Sequence, residues 1–116
     1  MGFDTSVLDR ALAQRQARRE EERRALLADV LRKLDALAEQ FDLQEAYVFG
    51  SVARPGRYRE DSDVDVAVAG LPSEQFISLM AQLSASLGRD VDMIELEKIH
   101  FADKIKREGI KWTRRS

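Results

Sequence analysis

Three aspartates and one Gly-Ser pair have the residue types and spacing to do chemistry in this chain. Asp63-Val64-Asp65 places two carboxylates at alternate positions of a run that reads as a strand. Side chains at i and i+2 of a strand project to the same side about 7 Å apart, close enough to converge on one cation cluster. Left without a cation, such carboxylates repel each other and raise each other's pKa. Hard divalent ions such as Mg²⁺ suit a site of few carboxylates completed by water and phosphate oxygens, and Asp92, on a further predicted strand, is the best placed third ligand.

Gly50-Ser51 supplies the other half of a phosphate site. Glycine lets the backbone turn sharply and lets an anion approach it, while the serine offers a hydroxyl and an amide N–H at the start of the following helical turn. Arg54, one turn further on, can pair with the same anion. These pieces describe a nucleoside triphosphate held by backbone, hydroxyl and metal, with two ions activating an acceptor hydroxyl and stabilising the leaving pyrophosphate, which is nucleotidyl transfer.

The rest of the composition narrows the alternatives. There is no cysteine and one histidine, so a metal must be held by oxygen. The formal net charge of −2 conceals an acidic centre: residues 41–97 carry 11 acidic and 4 basic groups, and residues 98–116 carry 2 and 7. Such a centre argues against direct nucleic-acid binding. The basic tail (Lys98, Lys104, Lys106, Arg107, Lys111, Arg114, Arg115) reads as a solvated face. No apolar run reaches the roughly 20 residues that span a bilayer and no signal-peptide pattern opens the chain, so a cytoplasmic protein is expected. Asp61 reads as a turn residue, Asp90 shares a face with Asp92, Glu95 lies on the opposite face, and His100 reads as a surface residue on a helix. Phe101 and Trp112 read as core or edge packing.

The elements that must position these groups are legible from periodicity. From Asp4 to about Gln40 the chain has helix composition, and Leu26, Leu27, Val30, Leu31, Leu34, Leu37 and Phe41 form an apolar stripe. Residues 13–25 offer almost nothing apolar, and charge pairs such as Glu20 with Arg24 are expected to carry them. Residues 1–25 therefore predict an exposed helical arm before a domain spanning 26–116, with Val7, Leu8, Ala11 and Leu12 either idle or meeting another subunit. Strands are predicted at Ala46–Phe49, Asp63–Ala69 and Asp90–Glu95, with a short edge strand at Ile110–Thr113. Helices are predicted from Ser73 to a C′ glycine at Gly88, and from about Glu97 to Glu108.

Phe49-Gly50-Ser51-Val52-Ala53-Arg54, Asp61-Ser62-Asp63-Val64-Asp65 and Val91-Asp92-Met93-Ile94 resemble, in order, the motifs of the minimal nucleotidyltransferases of the DNA polymerase β-like superfamily. The resemblance spans about residues 26–112, although Ser51 and Asp63 stand one residue further apart than in the family pattern. It implies an α/β (α+β) nucleotidyltransferase fold, a small mixed β-sheet flanked by helices, here with a long N-terminal helix. It also implies Gly50, Ser51 and Arg54 for nucleotide binding, and Asp63, Asp65 and Asp92 as catalytic metal ligands for two Mg²⁺, with Asp92 also assisting deprotonation of the acceptor. Members of the family commonly serve as the antitoxin half of a toxin–antitoxin module, transferring AMP from ATP to a tyrosine of a HEPN-type ribonuclease (AMPylation). The same chemistry on a small-molecule hydroxyl, and neutralisation of a partner by binding alone, are the alternatives.

Overall fold

The computed structural model describes residues 4–115. Helix α1 spans Ser6–Leu37, and its free N-terminus is satisfied in part by Asp4, whose carboxylate accepts the Ser6 N–H at 2.9 Å. Strand β1 (Glu45–Phe49) runs into a 3₁₀ turn (Gly50–Ala53), and β2 follows at Val64–Ala69. A further 3₁₀ turn (Ser73–Gln75) opens α2 (Phe76–Leu87), which ends at Gly88 in the left-handed conformation, φ 61°, as the C′ glycine predicts. Strand β3 (Val91–Glu95), α3 (Ala102–Glu108) and β4 (Ile110–Thr113) complete the chain.

The four strands form one mixed sheet in the order β3-β2-β1-β4. Strand β1 is antiparallel to both neighbours, β2 and β4, while β2 and β3 are parallel and joined through α2. Strand alternation then gives the sheet two different faces. Val48, Val64, Val66 and Val68 point toward α1 and α2, where Val30, Leu34, Leu79 and Leu83 meet them, all fully or almost fully buried. Each such aliphatic side chain contributes roughly 1.5–3 kcal/mol by leaving water. Tyr47 and Ala67 point the other way and are covered by Leu96 and by Ile105 of α3.

The last helix begins later than its sequence predicts. Residues Leu96–Lys98 form a 3₁₀ turn and α3 starts only at Ala102, so His100 lies in an exposed turn rather than on a helix. Trp112 is buried and donates its indole N–H to Asp35 of α1 at 2.8 Å, while Phe101 is 41% exposed and packs no core. Nor is the basic tail uniformly solvated. Arg114 donates to the carbonyls of Leu43 at 3.1 Å, Phe41 at 2.6 Å and Ala38, so it caps the end of α1, whose last turn has no basic residue of its own.

Candidate active site

The parallel register of β2 and β3 sets Asp65 beside Asp92, and the antiparallel register of β1 and β2 sets Asp65 beside Phe49. The three positions form a row across the face away from α1 and α2. Asp63 lies one residue before β2 and is exposed, as is Asp92, while Asp65 is half-buried. Burial lifts the Asp65 carboxyl above its ordinary value, and the charges of Asp92 and then Asp63 push it further the same way. The three aspartates picked out from the sequence thus share one electrostatic neighbourhood.

Among the described residues no group of three or more His, Cys, Asp or Glu side chains is arranged to hold a metal ion unaided. The donor set nevertheless fits a hard divalent cation. All its members are carboxylates, the central one is held under charge repulsion that a cation relieves, and Mg²⁺ characteristically takes one or two carboxylates and completes its shell from water and substrate phosphates.

Gly50 adopts φ 74°, a conformation L side chains rarely take, and a Cβ there would run into the Asp65 carboxylate. The Gly-Ser turn is therefore closed down directly on the central aspartate, and Ser51 follows half-buried in the same 3₁₀ turn. Arg54 ends the turn with its guanidinium 3.7 Å from Glu108 of α3. Arg57 and Arg59 lie exposed in the loop that follows, which is anchored by Tyr58, buried in the main core under the Arg89 guanidinium.

One residue behind this turn escapes the sequence reading. Where residues 13–25 predict a solvated segment, Arg23 is buried to 6% exposure. Its Nη1 donates to the Val52 carbonyl at 2.9 Å, and its Nε and Nη2 form a fork onto Glu20 at 2.8 and 2.6 Å. The fork onto Glu20 raises the Arg23 pKa and, with Arg24 adding to it, brings Glu20 down to about 2. The expected Glu20–Arg24 pair is also present, at 3.1 Å. The signal for Arg23 lay in the stripe itself, because Arg23 stands three and four residues before Leu26 and Leu27 on the same helix face.

Asp61 is exposed in the turn before β2 and faces the arm, in a hollow with Arg15, Arg18 and Arg19. Asp90 precedes β3, where its carbonyl accepts the Val64 N–H at 3.0 Å, and its side chain lines a surface hollow with Asp63 and Asp92.

Residues 32–116 match the family described as Polymerase beta, Nucleotidyltransferase. A minimal nucleotidyltransferase of solved structure is 30% identical, with a TM-score of 0.51 over 78% of this chain and 88% of that one. A toxin–antitoxin solved with AMP-PNP is 25% identical, with a TM-score of 0.60 over 74% of each chain. The MntA–HepT toxin–antitoxin shares the fold at 21% identity and a TM-score of 0.55, over 77% of this chain and 73% of that one. No curated protein matches the chain.

Proposed function

Because the chain belongs to the polymerase β nucleotidyltransferase family and is itself a nucleotidyltransferase, we propose that it transfers AMP from ATP to a tyrosine hydroxyl of a HEPN-type ribonuclease toxin and is that toxin's antitoxin. The observation that carries this reading is the Gly-Ser turn closed on Asp65, with Asp92 beside it in register and Asp63 one step before the strand. Support for the partner comes from the toxin–antitoxin likeness, and support for the nucleotide from AMP-PNP in that structure.

In this mechanism the amide and hydroxyl of Ser51 and the backbone at Gly50 bind the outer phosphates, and Arg54 adds a cation at the end of the same turn. Asp63, Asp65 and Asp92 would hold two Mg²⁺, which when bound supply charge neutralisation for the reacting phosphate and the leaving pyrophosphate. The acceptor oxygen forms a bond to the α-phosphorus as the bond from that phosphorus to the bridging oxygen of the β-phosphate breaks. The acceptor's proton passes to Asp92, which lies exposed at the edge strand β3. The small domain leaves positioning of the acceptor to the partner. The exposed N-terminal part of α1, with its apolar residues Val7, Leu8 and Leu12, is assigned to that contact.

Incubation with Mg²⁺, ATP and the partner toxin is expected to add one AMP to a toxin tyrosine, detected by mass spectrometry, and Asp63→Asn is expected to abolish the adduct. Failure to form any adduct with several nucleoside triphosphates, in Mg²⁺ or Mn²⁺, sinks the catalytic reading. The exposed arm favours a second reading, neutralisation by binding. It predicts that Asp63→Asn still silences the toxin while deletion of residues 1–22 does not.

A further inference from the structure

The apolar residues near the start of α1 belong to a stripe. Leu8, Leu12, Arg15, Arg19 and Glu22 follow one another at four, three, four and three residues, so they share one face of the helix. A repeat of about 3.5 residues is the spacing that meets a second helix laid alongside. The face that buries Arg23, Val30 and Leu34 against the domain is a neighbouring one, and Leu8 and Leu12 stay 58% and 46% exposed. Arg15, Arg19 and Glu22 of the stripe, with Arg18, form one wall of a hollow of about 550 Å³ whose other wall is Arg59, Glu60 and Asp61. None of its four arginines makes an ion pair among the described residues, although three carboxylates line the same space. Asp61 stands two residues before Asp63, so whatever fills the hollow lies at the entrance to the aspartate site.

We propose that this face of α1 seats a helix of the protein partner, one that sets apolar side chains on Leu8 and Leu12 and carboxylates on Arg15 and Arg19, with its end in the hollow beside Asp61. The inference rests on the antitoxin reading and adds to it where the partner sits and what chemistry it presents. Residues 10–19 hold Arg10, Arg15, Arg18 and Arg19 and no acidic residue, so the complementary surface is acidic. A second copy of this chain does not supply it. Two parallel arms would stack Arg15 on Arg15 and Arg19 on Arg19, and two antiparallel arms aligned over the stripe would set each leucine against an arginine. The register that matches Leu8 to Leu12 runs Arg18 and Arg19 past the start of the other copy's helix at Ser6. A bare polyanion such as RNA fits no better, because Glu22, Glu60 and Asp61 would face its phosphates. An anionic bilayer rewards a sustained basic face, and here Glu20, Glu21 and Glu22 interrupt it. The seat lies before residue 32, where the family match begins, so it is an addition to the nucleotidyl-transfer domain. A partner held there is anchored beside the loop that leads into Asp63, which supplies the positioning of the acceptor that the small domain lacks.

The test titrates the partner toxin calorimetrically into the unaltered full chain, into Leu8→Ala with Leu12→Ala, and into Arg15→Glu with Arg19→Glu. All four side chains are exposed, and a thermal melt checks that each double variant keeps the fold. The leucine pair is expected to weaken toxin binding on the order of tenfold and the arginine reversal on the order of a hundredfold. Binding by the unaltered chain should weaken as salt is raised, and a non-hydrolysable ATP analogue should bind all three proteins alike. Toxin binding that is unchanged in both double variants overturns the seat and leaves the antitoxin reading standing. Two further results overturn it in favour of another occupant: a dimer in analytical ultracentrifugation that the leucine pair abolishes, or binding to phosphatidylserine vesicles that the arginine reversal abolishes. If the unaltered chain does not bind the toxin at all, the antitoxin reading itself falls and the seat with it.

Discussion

The two faces of the sheet are made from alternate residues of the same strands and are used for opposite ends. On one face Val64, Val66 and Val68 meet α1 and α2 with almost no exposure. On the other, Asp65 and Asp92 sit side by side under mutual repulsion, and Asp65 is half-buried with a raised pKa. The first face lowers the free energy of the fold. The second stores unfavourable charge where a cation and a triphosphate would relieve it. A one-residue step along β2 therefore separates a position that maintains stability from one whose charge works against it.

The sharpest break of this comparison is a pair of substitutions. Asp65→Asn removes the central carboxylate and is expected to lower kcat/KM for nucleotidyl transfer by about three orders of magnitude or more, read as adduct formed per unit time. Leu34→Ala, which empties a fully buried site on the opposite face, is expected to cost about 2–5 kcal/mol of stability by denaturant titration, with the folded fraction retaining its turnover. If the two variants lost activity and stability in the same proportion, the faces would not be functionally separate.

Gly50→Ala attacks the seam between them. The left-handed φ alone costs a non-glycine residue roughly 1–2 kcal/mol, and the added Cβ displaces the Asp65 carboxylate. A loss of about 2 kcal/mol in unfolding free energy is expected, together with an activity loss approaching that of Asp65→Asn. Arg23→Met tests how far α1 supports the site from behind. It keeps the volume but leaves the buried Val52 carbonyl without its donor, at a cost of about 1–3 kcal/mol. Because the turn that carries Gly50 and Ser51 ends at that carbonyl's neighbour, KM for ATP is expected to rise more than kcat falls. An unchanged KM would make Arg23 a purely structural residue.

The parts legible in sequence are those fixed by local periodicity. Alternation within β2 sets Asp63 and Asp65 opposite Val64, Val66 and Val68, and alternation within β3 sets Asp90 with Asp92, whereas the pairing of the two strands is what puts Asp65 beside Asp92. Gly50-Ser51 was recognisable because a sharp turn after a strand favours glycine. What stayed hidden depends on contacts between distant segments. Arg114 caps the end of α1 by reaching carbonyls 71 to 76 residues earlier, and nothing near it in the chain marks it as anything but a tail cation. Phe101 reads as packing because it is aromatic, yet the late start of α3 leaves it outside the core. Arg23 lay on the visible stripe, but its charge disguised it, since a buried arginine is recognised only once its acceptors are known.

The smallest effect, and the most direct test of stored against released charge, lies in pH. Glu20 is brought down from 4.5 to about 2 by the fork from Arg23, so its pairing stabilises the fold above the unfolded value and that contribution disappears as pH falls toward 2. Asp65 is raised above 3.8, so the sign reverses: the protonated form costs nothing, and the ionised form costs stability once pH rises through the folded value. In chelator, with no divalent cation to relieve the charge, Glu20→Gln should therefore melt below the unaltered protein at neutral pH, and Asp65→Asn should melt above it. Both differences should shrink as the solution is acidified below pH 4, closing from opposite sides. Added Mg²⁺ at neutral pH should raise the melting temperature of the unaltered protein and of Glu20→Gln but not that of Asp65→Asn. An Asp65→Asn melt that lies below the unaltered protein at neutral pH would mean that the aspartate face holds no stored repulsion at all.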